Sequence, residues 1–163
     1  MSSFFGCVGT VVNNCTIIQS YVLVNNEQQQ CVFSPHIAYN VVVLTRHGNL
    51  IDSRSFDTHG KSTADDEMGA FIDGLPDNVI VLMAVKDEAY GKFREEDKMG
   101  ADAQLLRLGA PNPRPPGYRA SWALVGYKGP RDQVDWIRHG QALESQGPSE
   151  ILVQIPKLTY GCN

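Results

Sequence analysis

Seven consecutive apolar residues, Val79 to Val85, run directly into Lys86, Asp87 and Glu88, and some thirty residues later Arg119 stands just ahead of Trp122 at the head of another strand-like segment. A carboxylate only accepts hydrogen bonds, a guanidinium donates them in a fixed fork, and an aromatic face takes up C–H groups. Together they suit an uncharged polyhydroxylated ligand such as a sugar. Groups of this kind at the ends of buried strands fall on loops held by a rigid sheet, where binding residues commonly sit. The plainer reading is that Asp87 caps the turn after its strand and Arg119 belongs to a structural ion pair.

Other chemistries find less support. His36, His47, His59 and His139 lack the i, i+4 partners of a metal-binding helix, and no phosphate-binding glycine loop or nucleophile elbow occurs. No metal or cofactor is expected. Asp87 and Glu88 are a poor hydrolytic pair, because adjacent strand residues point to opposite faces and would not flank one bond. The chain is therefore expected not to be an enzyme.

Several elements must hold these residues in place. "NVIVLMAV" reads as a strand buried on both faces. "NVVVLT" (40–45) and "NLIDSRSF" (49–56) flank Arg46-His47-Gly48 as a β-hairpin. From Ser62, capping with Asp65, a helix carries Met68, Phe71, Ile72 and Leu75 at helical spacing and stops at Gly74 and Pro76. A second helix is predicted from about Arg94 to Leu108, with Met99, Ala103, Leu106 and Leu105 inward and Gly109 ending it. "GAPNPRPPGY" is a stiff loop, since its prolines lack backbone donors; it leads into the strand "RASWALVGYKG". Residues 131–149 read as a polar surface excursion with at most a short helix. "EILVQIPKL" returns to sheet, at an edge because of Pro156. Near the start, "TIIQSYVLV" reads as a strand and "NNEQQQ" as the polar break after it.

At 163 residues the chain is expected to form one domain over 1–163. Hydrophobic residues at 42% and charged residues at 20% are ordinary for a globular protein, so neither disorder nor membrane insertion is expected. The net charge is −4 and no window concentrates Lys and Arg, which argues against a nucleic acid partner. Cys7, Cys15, Cys31 and Cys162 form no C-x-x-C pair. Their even number at the two ends suits disulfides and an oxidising compartment; four reduced thiols in a cytosolic protein is the alternative. "MSSFFGCVGTVV" lacks a basic n-region and a long apolar h-region. The expectation is a mature form with its signal removed, or a chain not routed by the usual signal.

"NVVVLTRHGNLIDSRSFDT", "VIVLMAVKDEAYGKF", "LLRLGA" and "YRASWALVGYKG" resemble, in order and spacing, the domain of the interleukin-like epithelial-to-mesenchymal transition inducer (ILEI, or PANDER-like) family. The resemblance spans roughly Cys15 to Cys162, and its specificity lies in the combination of Phe56-Asp57-Thr58, Lys86-Asp87-Glu88 and the Trp122 to Gly129 strand. The pattern is also similar to the stem domain of the O-mannose N-acetylglucosaminyltransferase and to a module of cell-surface hyaluronan-binding proteins. It implies an α+β globule of two packed β-sheets with flanking helices. It also implies a disulfide from the early region to Cys162, with Cys15 the partner; Cys7 and Cys31 would form the second, though four cysteines allow three pairings.

By the same resemblance the domain is similar to a lectin for N-acetylhexosamine sugars, with Asp87 and Arg119 holding the ligand. Lys86, Glu88, Tyr118 and Trp122 are the surrounding sugar-binding candidates, although a tryptophan on a sheet is more commonly a core residue, and Tyr90 and Phe93, like Tyr118, are alternative aromatic walls or packing residues. The chain departs from the family pattern in having His36-Ile37-Ala38 where Gly-Arg-Gly is usual, and Arg119-Ala120 where Arg-Asp is usual. The reading that follows is a secreted, non-catalytic lectin for terminal N-acetylglucosamine or N-acetylgalactosamine on glycans. Weak single sites would need avidity, so a homo-oligomer is expected. The alternative is a secreted cytokine-like signalling protein acting through a receptor surface.

Overall fold

A computed structural model describes residues 3–9, 20–24, 27–32, 38–89, 100–132, 134–146 and 149–155. The elements in chain order are β1 (Ser3–Gly9), β2 (Ser20–Val24), β3 (Glu27–Val32), β4 (Ala38–Thr45), β5 (Leu50–Phe56), α1 (Ala64–Asp73), β6 (Val79–Lys86), α2 (Ala101–Leu108), β7 (Ser121–Lys128), β8 (Arg138–Ala142), a 3₁₀ turn (Glu144–Gln146) and β9 (Ser149–Ile155). The result is a mixed α+β fold built on a five-stranded antiparallel sheet in the order β5-β4-β6-β7-β8.

β6 is the middle strand, and its residues Val79 to Val85 are all buried. That accounts for its unbroken apolar sequence, since both faces lie against core. Val79, Val81, Met83 and Val85 join one apolar cluster with Met68 and Ile72 of α1 and Leu105 and Leu108 of α2. Ile80, Leu82 and Ala84 join a second cluster with Ala123, Val125 and Trp136, completed by Ile151, Val153 and Ile155 of β9. Each such aliphatic side chain taken from water contributes about 1.5–3 kcal/mol. β9 pairs with β1 in a four-stranded sheet of order β3-β2-β1-β9, at whose edge it lies, as Pro156 predicts.

The hairpin and α1 form where the sequence predicts them, with a register shift between Val43 and Leu44. The capping differs. Thr63 is the N-cap residue, with its hydroxyl donating to Glu67 Oε1 at 2.8 Å, while Asp65 accepts the backbone N–H of Ala101 at 3.3 Å. An α1 carboxylate thereby serves the first turn of α2, whose N-cap Gly100 offers no side chain. A Cβ on Gly100 would meet Asp65 Oδ2 at 2.6 Å, so glycine is what lets the carboxylate approach.

Four expectations are corrected. Glu27 to Gln30 belong to β3, because strand pairing outweighs their polarity. The 131–149 excursion contains β8, an edge strand whose outer side tolerates polar residues. α2 buries Ala101, Leu105 and Leu108, whereas Leu106 is 50% exposed, so its inward face is rotated from the predicted one; residues 94–99 of the predicted helix lie outside the described ones. A Cys7–Cys31 bridge does not fit the register: β2 lies between their strands, with Cys7 opposite Val22 and Tyr21 opposite Cys31. Two strand spacings, about 9.6 Å, exceed the roughly 7 Å across which Cα atoms can be bridged. Cys15 and Cys162, like Tyr90, Phe93 and Pro156, lie outside the described residues.

Candidate functional site

β6 and β7 are antiparallel neighbours, with Ala84 opposite Ala123. The point where the chain leaves β6 therefore lies beside the point where it enters β7. This adjacency brings Asp87 to Arg119, with Arg119 Nε 3.3 Å from Asp87 Oδ1 and the two side chains 45% and 34% exposed respectively. The Arg119 guanidinium also lies 5.2 Å from the centre of the Tyr118 ring, which is 63% exposed.

Both residues of the pair hold left-handed backbone conformations, φ 59° at Asp87 and φ 48° at Arg119. Asp tolerates this region through local hydrogen bonding, but Arg has no such compensation, and the conformation costs about 1–2 kcal/mol. A half-exposed ion pair returns about 0–1 kcal/mol. The contact therefore does not balance the strain it accompanies. Strain of this kind gathers at ligand-binding sites.

Glu88 provides the missing hold. It is 4% exposed, and its Oε2 accepts the backbone N–H of Arg119 at 2.8 Å. One residue on, the Ala89 carbonyl accepts a hydrogen bond from the buried Thr58 hydroxyl at 3.0 Å, and Asp57 closes the adjoining turn by accepting the Gly60 N–H at 2.7 Å. Phe56-Asp57-Thr58 thus anchors the segment that follows β6. That role was not readable from the sequence, because Thr58 and Ala89 are brought together only by the strand order.

The proline-rich segment before Tyr118 is held from the core. Trp122 Nε1 donates to the Asn112 carbonyl at 2.8 Å, and the Tyr39 hydroxyl donates to the Pro113 carbonyl at 3.0 Å. Arg114 forks onto Asp102, with NH2 2.6 Å and Nε 2.9 Å from Oδ2. Burial, reinforced by Asp102 and Asp65, pushes the Tyr39 phenol well above its usual range, so it remains a donor. The Trp122 ring meets Tyr39 and His139 edge-on, each at 5.2 Å, and burial lowers the His139 pKa.

Two candidates are reassigned by this geometry. Trp122 is 0% exposed and packs inside the core, so it supports the loop and cannot stack on a ligand. Glu88 is buried against the Arg119 amide and positions that residue without facing solvent. Lys86, partly exposed, ends β6 opposite Ala38 and stays beside the pair. Asp87, Arg119, Tyr118 and Lys86 are therefore grouped at one end of the five-stranded sheet.

Asp87 Oδ2 and the two terminal guanidinium nitrogens of Arg119 have no partner among the described residues. They offer an acceptor and a donor fork side by side, with an aromatic face next to them. Among the described residues, no group of three His, Cys, Asp or Glu side chains could hold a metal ion, and no helix is long and apolar enough to cross a membrane.

The sequence model of the interleukin-like EMT inducer family matches residues 38–130, a span that contains β4 to β7 and the whole Asp87–Arg119 site. No curated protein matches the chain.

Proposed function

Since the chain belongs to the interleukin-like EMT inducer family, we propose that it is a non-catalytic lectin binding N-acetylhexosamine-type sugars. Asp87 would accept a ring hydroxyl, Arg119 would donate to a hydroxyl or the acetamido oxygen, and Tyr118 would line the apolar side of the ring, with Lys86 at the rim. The observation that carries this reading is the half-exposed Asp87–Arg119 pair, set on two left-handed residues that the buried Glu88 holds in place, which presents an acceptor and a donor fork beside the Tyr118 ring. The withdrawal of Glu88 into the protein supports a binding role over hydrolysis, because it leaves no second carboxylate among the described residues facing the same bond. Secretion, a Cys15–Cys162 bridge, homo-oligomerisation and a second sheet packed along the first belong to the same proposal.

The test is calorimetric titration of N-acetylglucosamine and N-acetylgalactosamine into the wild type, Asp87→Ala and Arg119→Ala. Saturable heat abolished by both substitutions, with the fold retained, would support the reading. No saturable heat with either sugar well into the millimolar range would refute it. The second reading, a secreted cytokine-like signalling protein, is favoured by the family's description as interleukin-like and EMT-inducing, and a negative titration would move the weight there.

A further inference from the structure

The opposite end of the same sheet carries a cleft of about 460 Å³, between the C-terminal ends of α1 and α2 and the chain leaving β7. Its size lies within the roughly 300–1,000 Å³ usual for small-ligand sites. Ile72, Leu108 and Pro130 give it an apolar floor. Its walls are polar and held in place. Lys128 Nζ donates to the last carbonyls of α1, to Ile72 at 2.8 Å and also to Asp73, while Arg131 NH2 donates to the α2 carbonyl of Leu106 at 3.1 Å. Both cations strap a helix end to the exit of β7, so the cleft is preformed.

The charge balance identifies the kind of occupant. Arg107, Lys128 and Arg131 line the cleft with Asp73 and Asp77, and two helix C-termini add about half a negative charge each. The balance is close to zero, which disfavours a simple anion or cation. Hydrogen-bonding groups are nonetheless dense. Gln104 Nε2 donates to Asp73 at 3.0 Å, Arg107 stands 3.8 Å from that carboxylate, and Asp77 has no partner among the described residues. A neutral cleft with an apolar floor and both donors and acceptors on its walls matches an uncharged polyhydroxylated ring.

We propose that this cleft is a second saccharide site, separate from Asp87–Arg119. Arg119 and Lys128 stand nine residue steps apart along β7 and its entry, a span of about 30 Å at strand rise. One chain would then engage two points of a glycan and gain avidity without a partner copy. The proposal rests on the lectin reading for its ligand class, but the two sites are separable by experiment.

The experiment follows backbone amide shifts of the ¹⁵N-labelled full chain during titration with N-acetylglucosamine and, separately, N-acetylgalactosamine. The variants are Asp87→Ala, Asp77→Ala and the cleft-filling Gln104→Trp. Two groups of shifting amides are expected, one around 86–89 and 117–121, the other around 104–108 and 128–131. Asp87→Ala should silence only the first. Asp77→Ala, at an exposed position whose loss leaves the core untouched, should weaken the second about fivefold or more, and Gln104→Trp should abolish it. Shifts confined to the first group overturn the second site and leave the strand-end site standing. Shifts confined to the cleft uphold the second site and overturn the first, and no saturable shift in either group overturns both.

Discussion

Replacing Glu88 by Ala is the sharpest test of how the strand-end site is held. Glu88 is 4% exposed and accepts the backbone N–H of Arg119, whose φ is 48°. A hydrogen bond to a buried charged acceptor contributes about 1.5–3 kcal/mol, and its loss leaves the amide unsatisfied. The left-handed conformation it opposes costs about 1–2 kcal/mol, so the segment would relax toward ordinary backbone once released. If about 2 kcal/mol of hold is lost, the binding-competent fraction falls and the apparent Kd for N-acetylhexosamine rises about ten- to thirtyfold. The midpoint of thermal unfolding should drop by about 4–8 °C, taking about 2–4 °C per kcal/mol for a domain of this size. Glu88→Gln keeps a carbonyl acceptor and should recover roughly half of each effect. Calorimetric titration, thermal unfolding and hydrogen exchange at the Arg119 amide measure the three consequences. Wild-type affinity and unchanged Arg119 exchange in Glu88→Ala would refute the positioning role outright, and accelerated Arg119 exchange in Glu88→Ala with no sugar binding by the wild type would separate that role from the lectin reading.

Two further outcomes follow from the same geometry. Trp122→Phe removes the N–H held by the Asn112 carbonyl and part of a fully buried ring; it should cost about 2–3 kcal/mol in urea unfolding and should leave the ring-stacking part of sugar binding unaffected. Burial first, then the charges of Asp102 and Asp66, raises the Asp65 pKa above its unfolded value despite the Ala101 hydrogen bond. Its contribution to stability is therefore fully present below the unfolded carboxylate pKa and is lost as pH rises through the folded one. Asp65→Asn, which keeps an acceptor for Ala101, should flatten that part of the pH–stability profile and raise stability at neutral pH; a wild-type-like slope across the acid range would contradict this.

Legibility in the sequence followed how many constraints each segment satisfies locally. β6 was readable because burial on both faces demands an unbroken apolar run, and α1 because Met68, Ile72 and Leu75 repeat at one face. β3 and β8 were not, since edge strands draw their identity from a neighbour's backbone and "EQQQCV" and "RHGQA" carry no apolar alternation. The inward face of α2 was misjudged because Leu105 and Leu106 are equivalent to a periodicity argument, and only Gly126, where a Cβ would meet the Leu108 carbonyl at 2.8 Å, fixes how closely and on which side the helix sits. Asp87 and Arg119 were visible as charges at strand ends. The burial of Trp122 follows the usual habit of a tryptophan on a sheet, whereas that of Glu88 was not visible, because which of the adjacent polar residues turns inward depends on the backbone reversal at residue 87.

The carbonyls of Asn112 and Pro113, which accept from Trp122 and Tyr39, and the Arg119 amide held by Glu88 make the segment between α2 and β7 a ruler fastened at two marks. Tyr39 and Trp122 clamp residues 112 and 113 to the core, and Glu88 clamps residue 119, so the five residues between them have a fixed contour to cover. Adding or deleting a residue within Arg114–Tyr118 changes that contour and must pull Arg119 off its clamp. The same change between Gly109 and Asn112 falls outside the clamped interval and displaces the helix end instead. Tags, linkers or peptide grafts placed on this face thus have an addressable boundary, and the Asn112 carbonyl marks it.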